Sequence, residues 1–287
     1  METASLLVAR FVAFVALLLV AGLPFHALTL GAFAPMSRPK RLVLALLALM
    51  AAGASIWWAL ETVAAMAGAT LATLDQETFT VVLAATPLGA VMEWRLTALA
   101  AVLLAMIVPL RALRCGIAAV AGAVALGTMA WTGHAGASEG SIGTLHRAAD
   151  VVHLLAAATW LGALAGFTVA AFSKGDRGIA QELAAFARTG SVIVALLLLT
   201  GVVNTIAIAG WPLPFGSRWG WLLALKLALF AGMLGLAAIN RWKITPGLER
   251  GEATAKGHLQ RSLAIEFALG LGVVAVIGLL GVLDPAA

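Results

Sequence analysis

The chain has 287 residues, 62% of them hydrophobic and 11% charged, with a mean hydropathy of +1.04 and a net charge of +5. That balance excludes a soluble globular domain and belongs to a polytopic membrane protein, whose apolar surface faces lipid. The pI near 10.1 does not point to nucleic acid, because the lysines and arginines are spread over loops between apolar runs and no soluble domain carries a binding face.

Runs long enough to cross about 30 Å of hydrocarbon lie at roughly 6–33, 42–68, 94–113, 115–133, 146–172, 185–209, 219–240 and 262–283. The predicted fold is therefore an all-α integral membrane bundle of about eight transmembrane helices, forming one domain over residues 1–287. The first run is too long for a signal-peptide core and no clean small-residue cleavage site follows it, so it is read as a retained span. The segment 76–93 is apolar but broken by Pro87 and Gly89, and reads as an outer loop or partial helix leading into span three. Residues 111–115 read as a very tight turn.

Orientation follows from the basic residues. One set of loops carries Arg38, Lys40, Arg41, Arg111, Arg114, Lys174, Arg177, Arg188, Arg241, Lys243, Arg250, Lys256 and Arg261, while the opposite loops carry little beyond Arg147 and Arg218. The first set faces the cytoplasm, and an even number of spans then puts both termini on the extracytoplasmic side. Tyrosine is absent, and Trp94, Trp131, Trp211, Trp219 and Trp221 fall where apolar runs end, as an interfacial belt requires. The single Cys115 cannot form an intrachain disulfide and reads as structural.

Ionisable groups inside spans are costly unless paired or hydrated, and so mark function or helix locking. Glu61 in span two and Lys226 in span seven both lie about 10 Å below the outer surface by residue count, at the depth of Asp150 and His153, which predicts an outer-half cluster. These two are candidates for ion coupling. Glu266 in span eight matches Asn240 and Arg241 in depth, which predicts an inner pair locking the helices. Asn204 in span six can hydrogen-bond across helices.

Three of the five histidines fall within twenty positions, in Trp131-Thr132-Gly133-His134 and in His146-x-x-x-Asp150-x-x-His153. At about 100° per residue, positions 146, 150 and 153 lie within about 60° of one another, with His153 roughly 10 Å beyond His146. Two imidazoles and a carboxylate share one stripe that opens to the extracytoplasmic side. Neutral imidazole is the commonest transition-metal ligand, thioether favours Cu(I), and a carboxylate either ligates or fixes a histidine tautomer. Met129 lies near His134, and Met66 and Met92 mark the outer ends of spans two and three, so all three border the same predicted mouth. His26, beside Pro24 near the inner end of span one, is remote in depth and reads as a polar residue at a kink. The zinc-protease pattern His-Glu-x-x-His does not occur, and neither does the phosphate-binding Gly-x-x-x-x-Gly-Lys-Ser/Thr. The expectation is a protein that is not an enzyme and whose transport, if any, is passive or ion-coupled.

These residues resemble the copper resistance protein D family of bacterial inner-membrane proteins. The resemblance runs through Trp131-Thr132-Gly133-His134-Ala135, the stretch from His146 to Gly162, Thr200-Gly201-Val202-Val203-Asn204, Gly220 to Lys226, Ala237-Ala238-Ile239-Asn240-Arg241, and Glu266. It covers about residues 131–285; the N-terminal half is matched by hydropathy and by Thr86-Pro87-Leu88-Gly89 through Trp94-Arg95. The resemblance implies a copper ion rather than another metal, a multi-pass location in the inner membrane, and a periplasmic copper carrier of the copper resistance protein C family as a separate partner, or none.

The reading that results is a copper-binding permease that takes up or transfers copper ions across the membrane. Its extracytoplasmic mouth, between spans four and five, captures them through His134, His146 and His153 with Asp150 and Met129. A b-type haem electron carrier is the alternative of another class, since bis-histidine ligation also uses buried histidines. A copper-sensing membrane protein without flux would share the same site.

Overall fold

The structure is a computed structural model that describes residues 4–30 and 36–285, and only the backbone at 111 and 112. Every regular element among the described residues is helical. Eleven α-helices follow in chain order: α1 Ala4–Thr29, α2 Arg38–Met66, α3 Gln76–Ala85, α4 Pro87–Ala105, α5 Arg111–Gly127, α6 His134–Ala137, α7 Gly140–Ser173, α8 Asp176–Ala209, α9 Arg218–Ile239, α10 Thr245–Glu249 and α11 Ala255–Leu280. A 3₁₀ turn, Thr128–Trp131, extends α5, and a π-helical turn, Asn240–Ile244, joins α9 to α10. Eight of the helical segments are long and apolar enough to cross a bilayer, which is the number read from hydropathy.

Several boundaries differ from expectation for identifiable reasons. Span three begins at Pro87 rather than at 94, because Thr86 is extended and proline sits well at the first helical position. The segment before it is a separate helix, α3, started by Asp75, whose carboxylate accepts from the Thr78 amide at 2.8 Å and from its hydroxyl at 2.8 Å. Those two bonds hold the exposed Asp75 carboxyl below its ordinary range. The tight inner turn lies at 106–110, ahead of the expected 111–115, and Arg114 fastens it by donating Nε to the Val108 carbonyl at 3.0 Å. The expected continuation of span one through 31–33 lies outside the described residues.

α1 is the axial helix of the bundle. It packs against α2, α5, α7 and α11, and its apolar residues run all round rather than along one stripe, as burial on every side requires. Small residues allow this. A methyl group at Gly22 would meet the Ala158 carbonyl oxygen at 1.9 Å, and one at Gly162 would meet the Gly22 carbonyl carbon at 2.2 Å. Ala158-x-x-x-Gly162 on α7 thus forms a seat for the α1 backbone, a small-residue contact of the kind that lets membrane helices approach closely. From the opposite side Gly122 of α5 approaches the backbone of Val20 and Ala21. The N-terminal helices α2, α4 and α5 and the C-terminal helices α7 and α11 are therefore assembled around α1.

α7 and α8 each have 34 residues, roughly 50 Å of helix, so both must project beyond the hydrocarbon. α8 packs on α7 and α10, and α9 packs on α11. Between α8 and α9 a cleft opens whose floor is α7. Trp94, Trp131, Trp211 and Trp221 are exposed as the interfacial belt requires, but Trp219 is 3% exposed and packs with Leu223, Val276 and Leu280. Trp219 belongs to the α9–α11 contact, not to the belt. Cys115 is buried and unpaired, its sulfur 3.9 Å from the Pro24 carbonyl.

Candidate functional site

α6 is a single turn, and it brings His134 over the outer part of α7, where His146 is 2% exposed. Ser138, which follows α6, connects them. Its hydroxyl lies 3.2 Å from the His134 carbonyl and 2.9 Å from His146 Nδ1. A serine has one hydroxyl proton and a carbonyl can only accept, so both contacts are hydrogen bonds when that proton goes to the His134 carbonyl and Ser138 Oγ accepts from His146 Nδ1–H. In that arrangement His146 Nδ1 is protonated and Nε2 keeps its lone pair, with no other hydrogen bond to the ring among the described residues. His134 Nε2 faces the Leu280 carbonyl at 3.5 Å, which leaves its Nδ1 as the lone-pair nitrogen.

Two turns farther into α7 the same logic recurs. Thr200 of α8 donates its hydroxyl to the Leu196 carbonyl at 2.5 Å, and His153 Nδ1 lies 2.9 Å from that hydroxyl oxygen, with the Leu197 backbone as a second hydrogen-bond partner of the imidazole. Asp150 Oδ1 accepts from Asn204 Nδ2 at 3.1 Å, which makes Asn204 the interhelical hydrogen-bonding residue its position in span six predicted. The Lys226 ammonium of α9 is the charged neighbour of both Asp150 and His153, beyond ion-pair contact with the carboxylate. Lys226 therefore joins the histidine stripe across the α8–α9 cleft. Glu61 does not. α2 lies beyond α4 and α1, and Glu61 instead accepts from the Ser5 hydroxyl and from Trp57 Nε1 at 3.3 Å.

Of the five predicted ligands, His134, His146, Asp150 and His153 are spread from α6 along α7 rather than gathered around one point. Among the described residues no three His, Cys, Asp or Glu side chains gather closely enough to enclose a metal ion. Met129 is buried in the 3₁₀ turn that packs on α6 and α7, close under the mouth. Met92 lies in a separate cluster with its sulfur 4.0 Å from Arg95, and Met66 is exposed at the end of α2. The three methionines border different surfaces.

At the inner end the expected Arg241–Glu266 pair is not made. Arg241 reaches α8 instead, donating to Ser191 Oγ at 3.1 Å and to the Ala187 carbonyl at 3.4 Å. Glu266 takes its bonds from neutral donors, Trp160 Nε1 of α7 at 3.2 Å and Asn240 Nδ2 at 3.2 Å. Helix locking through Glu266 thus ties α7, the π-turn and α11 without an ion pair.

Reading the residues alone missed three features. Ser138 and Thr200 look like ordinary small polar residues, and only their geometry reveals that they set imidazole tautomers. Arg95 is 0% exposed, donates Nε to Thr128 Oγ1 at 2.8 Å and sits 5.2 Å from the centre of the Trp58 ring. Its signal was present as an arginine inside an apolar run, but starting span three at 94 put it at a helix end.

The N-terminal domain described as copper resistance protein D-like matches residues 1–144, and the family described as copper resistance protein D matches residues 180–280. The N-terminal half thus carries a match of its own, which hydropathy and the Thr86 to Arg95 segment had only outlined. Copper resistance protein D of Pseudomonas syringae pv. tomato is 40% identical over 178 residues, 57% of this chain and 57% of that protein. Inner membrane protein YebZ of Escherichia coli (strain K12) is 32% identical over 160 residues, 55% of each. The matched stretch spans little more than half the length of these curated relatives. No solved structure matches.

Proposed function

The chain belongs to the copper resistance protein D family of multi-pass inner-membrane proteins, and from its site we propose that it captures copper ions at the extracytoplasmic mouth and passes them inward along α7. The observation that carries this reading is the Ser138 bridge. It buries His146 in the tautomer whose Nε2 lone pair is free, and a ligating imidazole is ordinarily held this way by a hydrogen bond to its other nitrogen. His134 Nδ1 and His146 Nε2 form the entry pair, with the Met129 thioether as a soft third ligand beneath them.

Asp150 and His153 form the next station, roughly 10 Å deeper by helical rise. A carboxylate at that depth is costly when alone, and Lys226 offsets its charge while no metal is bound. An arriving copper cation takes over that role and repels the ammonium across the cleft. The metal would therefore replace Lys226 as the countercharge of Asp150, which gives the ion a favourable place to stop without leaving a buried charge uncompensated before it arrives. A periplasmic copper carrier of the copper resistance protein C family fits the partner role, since α6 places His134 outermost, above the buried His146 of α7.

The test is the copper content of detergent-purified protein beside a His146→Ala/His153→Ala variant, followed by copper uptake into liposomes. Stoichiometric copper in the parent, lost in the variant, with uptake that follows binding, is expected. Equal copper in both proteins, or a haem Soret band in place of copper, would overturn the assignment. Binding without uptake would reduce the protein to a sensor.

A further inference from the structure

The cytoplasmic half of the α8–α9 cleft widens into a cavity of about 530 Å³, walled by Leu164, Phe167 and Phe186 and ending at Glu266, with Arg241 and Glu249 towards its cytoplasmic end. Nothing in copper capture at the outer mouth uses this cavity. Glu266 is 2% exposed and lies roughly 16 Å along α11 from its cytoplasmic end. Both carboxylate oxygens accept one neutral N–H, from Trp160 and from Asn240, and no ion pair reaches them among the described residues. Two further polar atoms are left over. Asn240 Oδ1 and Ser262 Oγ, each on a residue 6% exposed, have no partner, and Ser262 lies one turn below Glu266 on α11.

Buried polar atoms are almost always satisfied, so the orphaned oxygen of Asn240, which lines the cavity beside Glu266, marks the place of something bound, and Ser262 Oγ is left over one turn along α11. The π-turn that carries Asn240 points the same way, because such turns concentrate at functional positions. The side-chain acceptors here are oxygens: the remaining Glu266 lone pairs, Asn240 Oδ1, Ser262 Oγ and Thr245 Oγ1, which donates to the Asn240 carbonyl at 2.8 Å, while the Arg241 guanidinium at the cytoplasmic end is turned to α8. Oxygen donors suit a hard cation and not a soft copper ion. Both oxygens of the carboxylate are already faced by N–H donors, which would repel a sodium ion, whereas a proton needs only one free lone pair.

We infer that Glu266 is a proton-exchange site fed from the cytoplasm through this cavity, with Asn240, Ser262 and Thr245 ordering the water that delivers the proton. The step is a simple transfer. One carboxylate oxygen takes a proton from hydronium and leaves water, and the reverse returns it, so Glu266 alternates between charged and neutral. The charged groups near it are Arg241 from the π-turn, which is engaged by α8, Glu249 of α10, and Arg261 of α11 below Ser262; α7 presents the neutral Trp160. His26 of α1 packs edge-on against the Phe167 and Phe186 walls with Nδ1 unpartnered. A proton taken up here drives copper movement only if the permease reading holds; the proton site itself does not depend on it.

The experiment is an infrared titration of the carboxylic C=O stretch in the purified protein, run against pH and, at fixed pH, against sodium. It compares the parent with Glu266→Gln and Trp160→Phe. The expected result is a band that grows as pH falls, ignores sodium, and is absent from Glu266→Gln. In Trp160→Phe, where one donor to the carboxylate is lost, the same band should appear at higher pH. Trp160→Phe also keeps the test open should Glu266→Gln fail to assemble. A band unchanged in Glu266→Gln, no band at any pH, or a response to sodium instead of pH overturns the inference. In liposomes, loss of pH-gradient dependence in Glu266→Gln with copper binding retained would tie the proton to flux. A titrating band in a protein that moves no copper would sink the permease reading and leave the proton site standing.

Discussion

Ser138 and Thr200 show how a single hydroxyl decides what an imidazole can do. Each lies within hydrogen-bond distance of both a backbone carbonyl and a histidine Nδ1, and giving its only proton to the carbonyl makes it the acceptor for the imidazole. Replacing Ser138 by Ala removes the acceptor and lets His146 rotate or change tautomer, while the imidazole itself remains. Hydrogen-bond partners of metal-bound histidines typically govern about 10- to 100-fold in affinity. Ser138→Ala should therefore weaken copper binding by about 10-fold, measured by competition with a copper chelator, and His146→Ala by more. An unchanged affinity in Ser138→Ala would remove the tautomer argument. Arg95 is the counter-example of a charged residue with a structural explanation, since its guanidinium is held by Thr128 and the Trp58 face and not by the stripe residues.

At the scale of elements, the contact between α1 and α7 decides where the stripe points. Gly22 and Gly162 let the two backbones touch, and a larger side chain at either would force them apart. Overpacking of this kind costs about 1–3 kcal/mol and often more. Gly162→Leu should lower the detergent melting temperature and weaken copper binding together, because displacing α7 moves His146 and His153 relative to α6 and α8; melting unchanged from the parent would contradict the contact. α3 offers a separate check outside the membrane. The Asp75 carboxyl sits below its ordinary range, so its capping contribution is complete above that range and fades as pH falls through the lowered value. Amide exchange at the α3 start should accelerate on acidification, and Asp75→Ala should show the faster exchange at every pH. The Asp75-x-x-Thr78 spacing was readable in the chain as a helix start, yet the break at Pro87 dominated and left the segment open between an outer loop and the partial helix that the structure shows.

For the whole molecule, the distribution of lysine and arginine makes one global prediction: the 132–139 and 210–217 loops face the extracytoplasmic side and the 174–175 and 250–254 loops the cytoplasm. In a Cys115→Ala background, Glu139→Cys should react with an impermeant maleimide on intact cells, and Glu252→Cys only after the membrane is opened. The reverse pattern would invert the bundle and put the histidine entry in the cytoplasm. With the expected orientation, the histidine stripe and the Glu266 cavity lie towards opposite ends of α7, the arrangement needed if a metal enters at one face and a proton exchanges at the other.

Hydropathy and helical periodicity act over neighbours in the chain, so the amino-acid sequence alone determined the membrane class, the eight spans, and the placing of His146, Asp150 and His153 on one face of one helix. Which side chains meet across helices depends on how each helix is rotated and how closely small residues let it approach, and residue counting along separate spans sees neither. Depth alone made Glu61 and Lys226 equal neighbours of Asp150 and paired Arg241 with Glu266. Packing around α1 put Glu61 with Ser5 and Trp57, brought Lys226 to the cleft, turned Arg241 to Ser191, and left Glu266 with two neutral donors beside an open cavity.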